Sequence, residues 1–292
     1  MRKKKNNNGI KIMDSFYKTK REKKSFYIYM VLRILVIISA IREAYMGNFT
    51  NTALCMLSLV LFTFPSIIED TLKIEFPSLM ESLIYMFIFC AEILGEINNF
   101  YEIFPYFDTI LHTINGFLCA GLGFSMIDVL NKRSKKFSLS PLYLAIAAFC
   151  FSMTIGVMWE FFEYSVDRVF KLDMQKDEIV YNISSVALDE NKTNKPVIIK
   201  DIKETTITKE NGDTVTVTGY LDIGLNDTIE DLFVNFVGAF AFSVFGFFYV
   251  YNRDDKAFIK NFIPELKRKR RLRKKKKLDD KLVSKDADLL KT

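Results

Sequence analysis

The stretch that decides the fold is Leu142–Tyr164, LYLAIAAFCFSMTIGVMWEFFEY. From Leu142 to Trp159 it holds no charged residue. At about 1.5 Å of rise per residue, a run of this length matches a hydrocarbon core roughly 30 Å thick. Two carboxylates, Glu160 and Glu163, stand three apart at its far end. Charge is therefore kept out of the run and then placed as a pair on one helix face.

Working outward, five further predominantly apolar runs have a similar length: Phe26–Tyr45, Thr50–Ile68, Leu79–Ile97, Phe107–Leu130 and Leu232–Tyr251. Pro65 makes the second the least regular, since proline within a helical pattern ends or kinks it. The expected fold class is an all-α polytopic membrane protein with about six transmembrane helices and a small β-rich extracytoplasmic insert. The expected divisions are a basic tail (1–25), transmembrane helices one to five (26–165), the insert (166–226), transmembrane helix six (227–252) and a second basic tail (253–292). Phe26–Tyr45 is too long for the core of a secretory signal peptide, lacks a small-residue cleavage pattern and is followed by more spans.

Composition agrees. Half of the 292 residues are apolar, while the charged 26% gather in the tails and one internal block. The basic segments set the orientation: the N-terminal tail, the link with Lys132, Arg133, Lys135 and Lys136, and the C-terminal tail fall on one side if there are six spans. Both termini are thus expected in the cytoplasm of a multi-pass protein of the bacterial cytoplasmic membrane. Ten of the eleven residues from Lys267 to Lys277 are basic. Beside a membrane helix such a run meets anionic lipid first, so membrane lipid rather than nucleic acid is the expected partner. Cys55, Cys90, Cys119 and Cys150 lie in apolar runs without paired spacing and read as small buried hydrophobes.

Between Asp167 and Asn226 hydropathy collapses and acidic residues outnumber basic ones. Alternation through Thr205–Glu210 and Asp213–Thr218 predicts two strands, with Asn211-Gly212 as a type I′ hairpin turn.

Ionisable groups inside a bilayer cost roughly 2.5–3.5 kcal/mol on insertion scales, so their placement needs a reason. Asp108 and His112 stand four apart at the start of the fourth span, followed by Asn115 and Gly116. Glu160, Glu163 and Asp167 end the fifth. Asp227, Asp231 and Asn235 begin the sixth, with Gly238 beyond. With alternating span direction these stripes share one depth, near the outer leaflet, as do Glu92 and Glu96 of the third span, and Arg42 in the first is a candidate counter-charge. Glu160, Glu163, Asp227 and Asp231 are the expected metal ligands, and His112, Asp108 and Glu163 the expected catalytic groups. His112 is the only histidine, so a divalent cation would be held mainly by oxygen, which favours magnesium, manganese or calcium. Three readings stay open: a metal-assisted enzyme on a lipid-linked or cell-envelope substrate, a proton- or cation-coupled small-solute transporter, and a non-catalytic scaffold.

These motifs also carry a resemblance. Asp108-x-x-x-His112-x-x-x-Gly116, Glu160-x-x-Glu163 and Asp227-Thr228-x-x-Asp231 resemble the signature of the uncharacterised bacterial YjdF family of inner-membrane proteins, over roughly Phe26 to Tyr251. More loosely, Asp231-x-x-x-Asn235-x-x-Gly238 and the preceding motifs are similar to VanZ-like membrane proteins, although Glu163 stands where those often carry glutamine. The resemblance implies the membrane fold and this choice of site residues, but no activity.

Overall fold

A computed structural model of the chain describes residues 7–133, 139–252 and 258–266. Lys135, Lys136 and the basic run Lys267–Lys277 lie outside the described residues. Six helical segments among the described residues are long and apolar enough to cross a membrane: Ser25–Tyr45, Phe49–Leu72, Ser78–Ile97, Phe107–Asn131, Pro141–Phe170 and Leu225–Asn252. The mostly helical membrane fold with a small strand-containing region is therefore as the sequence predicts.

The first span is the end of α1 (Asn7–Tyr45). The second is two helices, α2 (Phe49–Leu61) and α3 (Phe64–Leu72). Pro65 does not end the span early; it sits in the first turn of α3, where its missing N–H costs no helical hydrogen bond. Thr63 Oγ donates to the Val60 carbonyl at 2.7 Å across the break. The third span combines α4 (Ser78–Phe89) with a π-helical stretch, Cys90–Ile97, that carries Glu92 and Glu96. After the short α5 (Phe100–Ile103) come α6 (Phe107–Arg133) and α7 (Pro141–Phe170), and α8 (Leu225–Asn252) follows the insert.

Packing divides the chain into two units, Met1–Met153 with Asn235–Thr292, and Thr154–Val234. The first has two apolar clusters. One joins α1, α2 and the third span through Val36, Cys55, Phe62, Tyr85 and Ile93. The other gathers Met80, Phe124, Leu144, Ala148 and Phe242 with Ile259, Phe262 and Ile263. The last three belong to a segment beyond the sixth span that turns back among the helices: Phe262 meets the Phe117 ring edge-on with centroids 5.1 Å apart. Just beyond, β8 (Glu265–Leu266) pairs antiparallel with β1 (Ile74–Glu75), Ile74 opposite Leu266. Paired strands must lie on one side of a membrane. Four spans separate these two, an even number, as the pairing requires.

In the second unit, three antiparallel pairs form the insert: β2 (Glu178–Val180) with β7 (Tyr220–Asp222), β3 (Ile183–Ser185) with β4 (Val197–Ile199), and β5 (Glu204–Thr208) with β6 (Thr214–Thr218). The β5–β6 hairpin is present, but not with a two-residue type I′ turn. Lys209 N–H donates to Asp213 at 2.7 Å and Gly212 N–H to Lys209 at 2.9 Å, and only Gly212 takes a positive φ, +89°. This is a three-residue loop closed by a glycine bulge, because Asn211 keeps a negative φ and bonds Asp213 with its side chain.

Candidate acidic site

In the second unit, α7 ends with Glu160, Glu163 and Asp167, and α8 begins with Asp227 and Asp231. Glu160, Glu163 and Asp231 are 4%, 6% and 3% exposed. One carboxylate oxygen from each lies within 4.8 Å of the others. The spacing of 160 and 163 puts both on one face of α7, and α8 supplies the third acid. Three like charges this close and this buried repel unless protons or a cation neutralise them. Their donors are all carboxylate oxygens, which suit a hard divalent ion. The indole N–H of Trp159 donates to Glu163 Oε1 at 2.8 Å.

Asp227 is placed differently. Its Oδ2 accepts the backbone N–H of Lys176 at 2.9 Å. Asp167, one turn beyond Glu163, accepts the N–H groups of Met174 and Gln175 at 2.7 and 2.8 Å. The Gln175 amide reaches the Thr228 hydroxyl, and Gly224, at φ +88°, leaves space that a Cβ would fill 2.7 Å from Gln175 Cβ. Asp167 and Asp227 thus fasten the loop after α7 to the start of α8, one turn ahead of Asp231. Nearby, burial and the charges of Asp173, Asp167 and Asp222 push the Asp177 carboxyl above its ordinary range. In contrast, a hydrogen bond from the Thr193 hydroxyl and the turn's N–H groups hold Asp189 below it.

The first unit has its own polar group. His112 Nε2 stands 3.5 Å from Asp108 Oδ1 on α6. One turn further, α6 crosses α8. Asn115 donates to Asn235 Oδ1 at 3.4 Å, Asn235 donates to the Met153 sulfur at 3.6 Å, and the buried Ser152 hydroxyl donates to the Gly116 carbonyl at 2.7 Å. The crossing is as close as backbones allow. A Cβ on Gly116 would lie 2.2 Å from the Asn235 carbonyl oxygen, and one on Gly238 2.0 Å from that of Thr113.

Arg42 is committed within this unit too. Its Nε and Nη2 donate to Glu43 Oε1 at 2.8 and 2.6 Å, and Asn51 donates to the other oxygen at 3.1 Å. Glu43 is one of two buried acids, with Asp128, that the sequence pattern does not single out. Arg42 and Glu43 are adjacent, and neighbours in a helix do not share a face, so no spacing rule marks them. Arg33 donates to the Tyr29 hydroxyl and lies over that ring. Glu92 and Glu96 flank the buried Ile93 and Gly95, where a Cβ would strike the Tyr101 ring at 2.4 Å.

Comparison with known proteins gives a family and no activity. The profile of the family described as Predicted membrane protein (DUF2238) matches residues 25–185, more than half of the chain. The matched region contains Asp108, His112, Glu160 and Glu163 and ends before Asp227 and Asp231. A protein of Thermotoga maritima described as uncharacterized is 26% identical over 105 residues, 36% of this chain. The match spans about half of that relative, 53% of its length. No solved structure matches. The likeness to VanZ-like proteins draws no support from these matches.

Proposed function

We propose that this chain, which belongs to the DUF2238 family of predicted membrane proteins, is a metal-assisted membrane enzyme of the YjdF-like type, acting on a lipid-linked or cell-envelope substrate. Glu160, Glu163 and Asp231 hold the divalent cation. The observation that carries the reading is the approach of three buried carboxylates to within 4.8 Å, which an oxygen-seeking cation would neutralise. Such an ion, when bound, polarises a phosphoryl or carbonyl oxygen or activates water. The residues themselves supply the charge and fix the geometry, and Asp227, through the Lys176 amide, positions the first turn of α8. Asp108 and His112 are the proton-transfer pair, on the strength of their own 3.5 Å contact.

The same reading puts the insert outside a bacterial cytoplasmic membrane and both termini in the cytoplasm, with Lys267–Lys277 against anionic lipid. Its test is thermal. Magnesium, manganese or calcium should raise the melting temperature of the purified protein, and Glu160→Gln with Asp231→Asn should abolish the response, because ligands of one ion act as a unit. If no ion raises the melting temperature of the parent, the acids work as a proton relay and the transporter reading replaces this one. His112→Gln should abolish metal-dependent hydrolysis in a screen of lipid-linked phosphates and leave the cation response in place.

A further inference from the structure

Trp159 belongs to two environments at once. Its ring is 41% exposed and packs against Phe162 with centroids 5.4 Å apart, on a stretch of α7 where Met158, Phe161 and Phe162 are also exposed. In a membrane-spanning helix that apolar stretch faces lipid. Its Nε1 reaches the other way, 2.8 Å from an oxygen of Glu163, a side chain only 6% exposed. The remaining oxygen of Glu163, Oε2, is wholly buried.

Residues 159 and 163 are one helical turn apart, so α7 itself brings indole and carboxylate together. An indole N–H can only donate, and its bond to an ionised carboxylate is stronger than one between neutral groups. The bond therefore fixes which oxygen of Glu163 turns toward the indole.

We infer that Trp159 is the positioning residue of the acidic group: it forms the lipid-side wall and holds Glu163 in the orientation in which it meets Glu160 and Asp231. This rests on the cation-binding reading above. It also makes the site observable, because Trp159 is the only tryptophan in the chain and all indole emission comes from this one side chain.

The test uses the full chain in lipid nanodiscs. Paramagnetic manganese should quench the emission on binding, and magnesium should compete the quenching away without quenching itself. Trp159→Phe, which keeps an apolar ring but lacks the donor, should stay folded and monodisperse in EDTA and melt a few degrees below the parent, because Glu163 loses a hydrogen bond. Its affinity for magnesium, read from the concentration dependence of melting, should fall about tenfold, the equivalent of one hydrogen bond to a charged group. Glu163→Gln should shift the emission of the cation-free protein. If the parent responds to neither ion, the cation reading fails, yet an emission shift in Glu163→Gln still upholds the hold of Trp159 on Glu163. An unshifted emission spectrum in Glu163→Gln, or full magnesium affinity in Trp159→Phe, overturns the inference.

Discussion

Where α6 crosses α8, polar groups complement one another: an amide donates to an amide, a second amide hydrogen finds a sulfur, and a serine hydroxyl takes up a helix carbonyl. The acidic group on α7 and α8 is made the other way, from three side chains of the same sign, none of which can donate when ionised. Both regions are buried and both sit at helix positions that sequence spacing marks as polar stripes. The two kinds of polarity make different demands on the rest of the protein. A polar group whose neighbours complete its hydrogen bonds holds helices together. A group of like charges gains nothing from its own members, even where one of them accepts a hydrogen bond as Glu163 does from Trp159, and its mutual repulsion has to be relieved by a proton or a cation.

The crossing should break hardest. Gly116→Val or Gly238→Leu would place a Cβ about where a backbone carbonyl oxygen now stands. Helices of the core would have to separate, at a cost beyond about 4 kcal/mol. The expected outcome is loss of monodisperse protein in detergent, read by size-exclusion chromatography. Next comes a contrast of sign, measured in EDTA. Asn235→Ala should destabilise by about 1–3 kcal/mol, because it removes a buried amide and the acceptor of the half-buried Asn115 amide. Asp231→Asn should stabilise by about 1 kcal/mol, because it removes one of three repelling charges. Equal signs for the two variants would erase the distinction between the regions.

The smallest effect belongs to Asp177, on the exposed insert. Its folded pKa is raised, so the folded state binds the proton more tightly than the unfolded chain does. Stability must then fall as pH rises from the unfolded value of about 3.9 through the folded one, and the loss persists above it. Asp177→Asn should remove that decline, and melting curves of parent and variant should converge below about pH 3.9.

The membrane spans are legible because eighteen uncharged positions in a row, as from Leu142 to Trp159, leave few alternatives. Glu160 and Glu163 are legible for a related reason: three-residue spacing fixes a shared face whatever the tertiary context. The break at Phe62 and Thr63 is only half legible, since Pro65 is compatible with the end of one helix or the first turn of another. The role of Asp227 is not legible at all. It depends on the path of the loop that brings the Lys176 amide to it, 51 positions away in the chain. The same holds for Phe262 and Ile263, which follow a charged link and would pass for the start of a tail but are buried in the core. Long-range return of the chain leaves no local periodicity to read.

Whether the three carboxylates form the proposed cation site can be read from manganese electron paramagnetic resonance on the full chain in nanodiscs. One tightly bound manganese per chain is expected, displaced by magnesium and absent from the Glu160→Gln, Asp231→Asn protein. Bound manganese that survives in that variant, or none in the parent, would contradict the proposed site.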